Sequence, residues 1–406
     1  MKILLLCKKF PFPLKDGESI AVHSLSRALH ELGCEVSLLA MNTSKHYFNI
    51  EQGIPPELSH YRRIQTVQVD NRIRLSAAFF NLFSSDSYHI ARFESAAYAK
   101  RLTEMLAEED YDVIQLETLY LAPYVPLIRS KSEALVVMRA HNVEHEIWER
   151  MVRQSKPGPR RWYLRHLTRK LKAFEERFLN SYDMLAPITL RDLHIFRNLG
   201  CQIPAVVTPI GLNADDYQPD YGSFRSPPSI SFIGSLDWMP NLEGLEWFLA
   251  EVWPQIRRKY PEVELHIAGR NTPAHLFNLR QPNVFIHGEV PDAARFISAH
   301  SLMVVPLLSG SGMRAKILEG MVLGKVVIST SLGLEGIGAR HKQEALVAND
   351  AAQFLQALDY LFRKPARFER MGRQAQEFAE REYNHTAIAR RLLAHYQTRI
   401  VAEVQP

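Results

Sequence analysis

The residues best suited to chemistry lie in one stretch, Ser309-Gly310-Ser311-Gly312-Met313-Arg314-Ala315-Lys316-Ile317-Leu318-Glu319-Gly320-Met321. Gly310 and Gly312 let a ligand come close to the backbone. A turn that opens a helix points free N–H groups and the positive end of the helix dipole at one spot. Arg314 and Lys316 add cationic side chains there, and the combination suits a phosphate or diphosphate. Glu319 falls about two helical turns after Ser311, on the same face if the helix is continuous. A carboxylate at that place accepts hydrogen bonds from the paired hydroxyls of a ribose. An ordinary strand-to-helix loop of an α/β sheet carries similar glycines, so the elements around the stretch must decide between the two readings.

Those elements alternate. Leu302 to Pro306 is a short apolar strand, Ile317, Leu318, Met321 and Val322 recur at helical spacing, and Lys325 to Thr330 is a second strand. Upstream, the strand Ser229 to Ile233 runs into the loop Gly234-Ser235-Leu236-Asp237-Trp238-Met239-Pro240-Asn241. A helix with Leu242, Leu245, Phe248, Leu249 and Val252 inward follows. Val263 to Gly269 and Val284 to Gly288 read as further strands, the first ending at Gly269-Arg270, and Pro291 to Ala299 as a short helix. Ala345 to Val347 is a last strand, Asp350 to Glu382 two helices, and Ala387 to Val401 a final amphipathic helix.

The first half repeats the alternation. Lys2 to Cys7 reads as a buried parallel strand. The loop Lys8 to Glu18 contains Asp16, Gly17 and Glu18, and a helix follows with Ala21, Leu25, Ala28, Leu29 and Leu32 on one face. Val36 to Met41, Tyr111 to Glu117, Leu135 to Met138, Asp183 to Thr189 and Ala205 to Pro209 read as strands. The third of these runs into Arg139-Ala140-His141-Asn142-Val143-Glu144. A histidine just past a parallel strand stands at the carboxyl edge of its sheet, where ligands bind. It could equally hydrogen-bond its own turn. No G-x-G-x-x-G is present, so a dinucleotide cofactor has no support.

At 406 residues the chain suggests two domains. We place an N-terminal domain at 1–212, a linker rich in Asp, Pro, Ser and Tyr at 213–228, and a C-terminal domain at 229–385. The last helix, 386–406, is expected to pack back on the first domain. The net charge of +5 suggests an anionic ligand or surface rather than a nucleic-acid coat. Three widely spaced cysteines form no metal or disulfide pattern, which fits a reducing cytoplasm. The apolar run Ile3 to Cys7 is too short for an export signal or a membrane span. Glu149 to Phe178 is helical and strongly basic. Such runs are usually solvated faces, but residues 150–177 also suit peripheral contact with an anionic membrane. The apolar run from Ala77 to Phe83 reads as core packing or as a surface for a lipid-linked acceptor.

The run G-S-G-x-R-x-K-I-L-E-x-M, from Gly310 to Met321, and the run H-N-V-E, from His141 to Glu144, resemble signatures of one branch of the family 4 (group 1) glycosyltransferases. The resemblance extends over nearly the whole chain. It implies the GT-B fold, α/β with two Rossmann-like doubly wound domains facing across a cleft. It implies a metal-independent retaining transferase with no cofactor, moving a sugar from a nucleotide-sugar to a glycan or lipid-linked acceptor, as in surface polysaccharide synthesis at the inner membrane face. His141, Arg314 and Lys316 are then the catalytic candidates. Gly234, Ser235, Asn241, Gly269, Arg270, Gly288, Gly310, Ser311, Gly312, Met313 and Glu319 bind the donor, and Asp16, Gly17 and Glu18 face the acceptor. Two departures stand out. Many members carry Gly-Arg and a nearby lysine where this chain has Ser235 and Asn241, and Ser311 occupies the place of the first of two glutamates eight positions apart. A nucleotide-binding partner subunit without catalysis and a GT-B sugar-nucleotide epimerase are the alternatives. The second would need acidic residues placed to remove a proton, and no such constellation is apparent.

Overall fold

The computed structural model describes residues 1–406 apart from 15, 45–46, 51–52, 75–79, 83, 85, 226–227, 311 and 405–406. Ser311 and much of the apolar run at 77–83 therefore lie outside the described residues. The chain divides into two compact units, Met1–Gly211 with His385–Pro406, and Leu212–Asn384.

The first unit contains β1 (Lys2–Cys7), α1 (Gly17–Glu31), β2 (Glu35–Thr43), β3 (Tyr61–Val69), α2 (Ala96–Glu108), β4 (Val113–Leu116), β5 (Leu135–Ala140), α3 (Glu144–Gln154), α4 (Pro159–Phe178) and β6 (Met184–Pro187). Its strands pair in parallel in the order β3-β2-β1-β4-β5-β6. Helices cover both faces, so Ile3, Leu4, Leu5 and Leu6 are all fully buried. That explains why β1 reads as an unbroken apolar run. The second unit contains β7 (Ser229–Ile233), α5 (Met239–Trp247), β8 (Glu264–Ala268), β9 (Val284–Gly288), α6 (Ala293–Ser298), β10 (Leu302–Val305), α7 (Ala315–Val322), β11 (Val326–Ser329), β12 (Leu346–Val347), α8 (Ala351–Phe362) and α9 (Ala366–Glu382). Its sheet, also parallel, runs β12-β11-β10-β7-β8-β9. Counted from its own first strand, this is the same order as in the first unit. In each sheet the connections reverse direction once, between β1 and β4 and between β7 and β10. The carboxyl ends flanking such a switch point leave a crevice for a ligand.

Four expectations change. Ala205 to Pro209 is no strand. Ala205 forms an isolated bridge with Leu185, and the Val206 and Thr208 N–H groups donate to Leu185 O and Pro187 O, but Pro187 of β6 has no N–H to return, so the ladder stops there. Strand β3 was not anticipated. As an edge strand it carries Arg62, Arg63, Gln65 and Gln68 among its apolar residues, and only Tyr61, Ile64 and Val69 are buried. The basic helical stretch is two helices, since Pro157-Gly158 interrupts it and Gly158 takes φ 150°. The 213–228 segment packs onto the second unit rather than spanning free: the Tyr217 hydroxyl donates to Glu319, and Lys325 Nζ donates to the Ser223 hydroxyl at 2.9 Å. The final helix, α10 (His385–Val404), belongs to the first unit, where Tyr396 is fully buried.

Candidate active site

In the second unit the expected donor residues gather at the carboxyl edge, on both sides of the switch point. Gly234 follows β7, and its N–H donates to Ala268 O at the end of β8 at 3.2 Å. The Leu236 N–H donates to Arg270 O, and the Gly269 N–H to Gly288 O at 2.7 Å. Three successive strand ends are thus stitched together. Gly269 is required by proximity to backbone, while Gly234 faces the ends of two side chains. A Cβ there would stand 2.7 Å from Asn241 Nδ2 and 3.1 Å from Lys316 Nζ, and one on Gly269 would stand 2.2 Å from Gly234 O. Asn241 Nδ2 donates to Ser235 O at 2.9 Å, and Arg270 Nη2 lies 3.5 Å from Ser235 Oγ.

Beyond β10, α7 begins only at Ala315, with Arg314 as its N-cap. Gly310 (φ 108°) and Gly312 (φ 81°) hold the backbone in the left-handed region ahead of the helix, and the expected shared face of Ser311 and Glu319 falls on a residue outside the described ones. Glu319 sits on the second turn of α7. Met313 is buried. Lys316 Nζ donates to Ile233 O at 2.9 Å and to Asn241 Oδ1 at 3.0 Å. Both acceptors are neutral. Burial, with Arg314 nearby, pushes its pKa down to about 7. Arg314 is 6% exposed and donates to Gly312 O, and the Trp238 indole lies 5.6 Å from its guanidinium. The indole covers it. Glu319 accepts from the Tyr217 hydroxyl at 3.3 Å, and burial raises its pKa, which that hydrogen bond partly offsets.

The switch point of the first unit carries a second polar cluster. His141, 8% exposed just past β5, shares a 2.8 Å hydrogen bond through Nε2 with Glu117, which follows β4. Glu117 also sits 3.4 Å from Arg139 Nη1 and accepts from Gln115, which in turn accepts from the Tyr396 hydroxyl of α10. Burial alone would raise the Glu117 pKa, but Arg139 and His141 hold it below the usual carboxylate range. Asp16 caps α1, accepting from the Ser19 N–H at 3.0 Å, and pairs with Lys9 at 2.6 Å. A helix cap therefore accounts for it, and Gly17 is the first residue of that helix. Glu18 pairs with Lys8 at 3.2 Å, and Lys8 stands 4.5 Å from the centre of the Tyr120 ring. The Tyr120 hydroxyl donates to Glu144 at 3.1 Å. Burial raises the Glu144 pKa to about 7, against the pull of Lys8.

Glu117, Lys8, Tyr120, Tyr217 and Trp238 are not among the site residues expected from sequence, and Glu144 stands there only as the end of the H-N-V-E run. The rule that found His141, a polar residue just past a parallel strand, also finds Glu117 at the end of Tyr111 to Glu117. The others depend on tertiary packing.

Residues 16–215 match the model described as Glycosyltransferase Family 4, and residues 227–364 match that described as Glycosyl transferases group 1. The chain belongs to the family 4, group 1 glycosyltransferases. As a family member it is a glycosyltransferase of GT-B fold. It is 22% identical over 366 residues to a Klebsiella pneumoniae protein described as an uncharacterized 44.6 kDa protein in the cps region, covering 87% of this chain and 89% of that one. Among solved structures, sucrose-phosphate synthase from Thermosynechococcus elongatus superposes with a TM-score of 0.75 at 16% identity, over 99% of this chain and 100% of the other. Anabaena HepE in complex with UDP superposes with a TM-score of 0.68 at 13% identity, over 98% and 100%. A trehalose-6-phosphate protein from E. coli, bound with UDP-2-fluoro glucose, gives 0.62 at 14% identity, over 98% and 99%.

Proposed function

We propose that this glycosyltransferase takes a sugar from a nucleotide-diphosphate sugar and transfers it, with retention of anomeric configuration, to a glycan or lipid-linked acceptor in surface polysaccharide synthesis. The observation that carries the donor half is the convergence of Gly234, Asn241, Gly310, Arg314 and Lys316 at one switch point, with Glu319 one helical turn beyond Lys316. Loss of the nucleoside diphosphate builds negative charge on its bridging oxygen. Lys316, Arg314 and the N–H groups between Gly310 and Met313 answer that charge without calling on a metal. Glu319 accepts from the ribose hydroxyls, Gly269, Arg270 and Gly288 line the nucleoside, and His141 hydrogen-bonds the transferred sugar. Glu18 with Gly17 serves the acceptor. The HepE and E. coli relatives are bound with uridine nucleotides, which makes UDP-sugars the first donors to test, and the cps-region relative supports a polysaccharide product. We place the protein in the cytoplasm with residues 150–177 as its contact with an anionic bilayer. No helix among the described residues is long and apolar enough to cross a membrane.

A thermal-shift panel of nucleotide-sugars tests the donor assignment. A ligand at a hundredfold its Kd stabilises by about 2.7 kcal/mol, a melting rise of about 5–10 °C for a unit of this size. A panel in which no nucleotide-sugar moves the transition would overturn the proposal.

A further inference from the structure

The helix hairpin of α3 and α4 encloses a groove of about 270 Å³ that the donor chemistry does not use. Arg161, Arg165, Arg169 and Lys172 line it from α4, and Arg153 with Glu149 from α3. The α4 cations fall at i, i+4, i+8 and i+11, which places them on one face of the helix. Arg153 pairs with Glu149 at 3.6 Å. Among the described residues none of the four on α4 pairs with a carboxylate, whereas surface arginines elsewhere do, as in Arg27–Glu31, Arg340–Glu344 and Arg373–Glu369. Like charges four apart destabilise a helix, so folding gains nothing from this stripe. The Arg161 Nε is buried without an acceptor. Trp162, 63% exposed, follows about 100° around the helix from Arg161 and flanks the stripe. An exposed indole beside clustered cations is the pairing found where a protein meets lipid headgroups.

We propose that this groove seats the phosphate or diphosphate headgroup of a bilayer-held lipid, with Trp162 entering the interface beside it. The assignment rests on the reading of 150–177 as a membrane contact and narrows it to one groove. Five donors on each guanidinium supply fork-shaped contacts that a diffuse basic face does not.

The test is co-sedimentation of the full chain with vesicles of phosphatidylcholine alone, with added phosphatidylglycerol, and with added polyprenyl diphosphate. Two variants of equal charge are compared, Arg165→Ala/Arg169→Ala/Lys172→Ala in the groove and Lys156→Ala/Arg160→Ala/Arg177→Ala in the same segment outside it. At about fivefold per cation near the surface, the groove variant should lose on the order of a hundredfold in binding to anionic vesicles. The outer variant should stay within about fivefold. If the groove variant melts early, Arg165→Gln at an exposed position should still read about fivefold. Equal losses in the two triple variants would leave a diffuse membrane contact and overturn the groove. Failure of the native protein to bind any anionic vesicle would overturn both readings, and the donor assignment would stand untouched. Inorganic diphosphate that displaces vesicles at its own micromolar concentration would give the groove to a soluble anion and also overturn the proposal.

Discussion

Replacing Lys316 by arginine should remove the pH dependence of nucleotide-sugar binding. The ammonium of Lys316 is held by two neutral oxygens, those of Ile233 and Asn241, at 2.9 and 3.0 Å, and no carboxylate pairs with it among the described residues. Burial therefore brings its pKa down to about 7, with Arg314 adding repulsion. A bound diphosphate supplies the missing negative charge and returns the group toward the ordinary lysine value of about 10.4. The sign follows. Above pH 7 the free protein has lost the proton and the complex has not, so binding takes a proton up and affinity falls as pH rises. Between pH 6 and pH 9 the loss should approach a hundredfold, about tenfold per unit once past pH 7. The diphosphate diester of a nucleotide-sugar does not titrate in this range, and arginine stays charged throughout. Titration calorimetry at pH 8 in two buffers of different ionisation enthalpy should give an uptake of about 0.9 proton for the native protein and nearly none for Lys316→Arg. Absence of uptake in the native protein, or the same uptake in the arginine variant, would refute the reasoning. Folding of the unliganded protein carries the opposite sign. The folded-state pKa lies below the unfolded one, so the contribution of Lys316 to stability rises from about pH 7 to pH 10.

Other outcomes follow from the same geometry. Glu319→Ala should weaken binding of the free nucleoside diphosphate by about 10- to 100-fold, the worth of hydrogen bonds to a charged acceptor; unchanged affinity by calorimetry would remove it from the ribose. Arg314→Ala should lower turnover by about 10²–10³ while nucleoside affinity changes little, and steady-state kinetics with equal turnover would exclude it from the leaving-group step. Glu117→Gln leaves the buried Arg139 charge uncompensated and should cost about 3–5 kcal/mol in denaturant unfolding. Adding Arg139→Met should restore stability but not turnover, if Glu117 also orients His141. Glu144 has a folded pKa of about 7, above its unfolded value, so the protonated form favours the folded state and stability is lost as pH rises from about 4.5 through 7. Glu144→Gln should flatten that fall, by on the order of 3 kcal/mol in melts taken at pH 4 and pH 8.

Much of the architecture was readable from local pattern alone. A parallel strand buried on both faces must be apolar throughout, so Ile3–Leu6 and Met303–Val305 announced themselves, as did the glycines and cations of the 309–316 turn. His141 was readable because a strand end marks a ligand edge. Edge strand β3 was not, since only part of its surface is buried and its residues mix polar and apolar. The helix break at Pro157-Gly158 was written in the sequence and overridden by the continuous basic pattern around it. Strand order belongs to tertiary structure, and with it the switch points that bring Gly234 to Lys316 and Glu117 to His141 across long sequence separations. So do the indole that covers Arg314 and the lowered pKa of Lys316. Desolvation and mutual distance depend on what the rest of the chain packs around a group, and residue type and spacing carry no record of either.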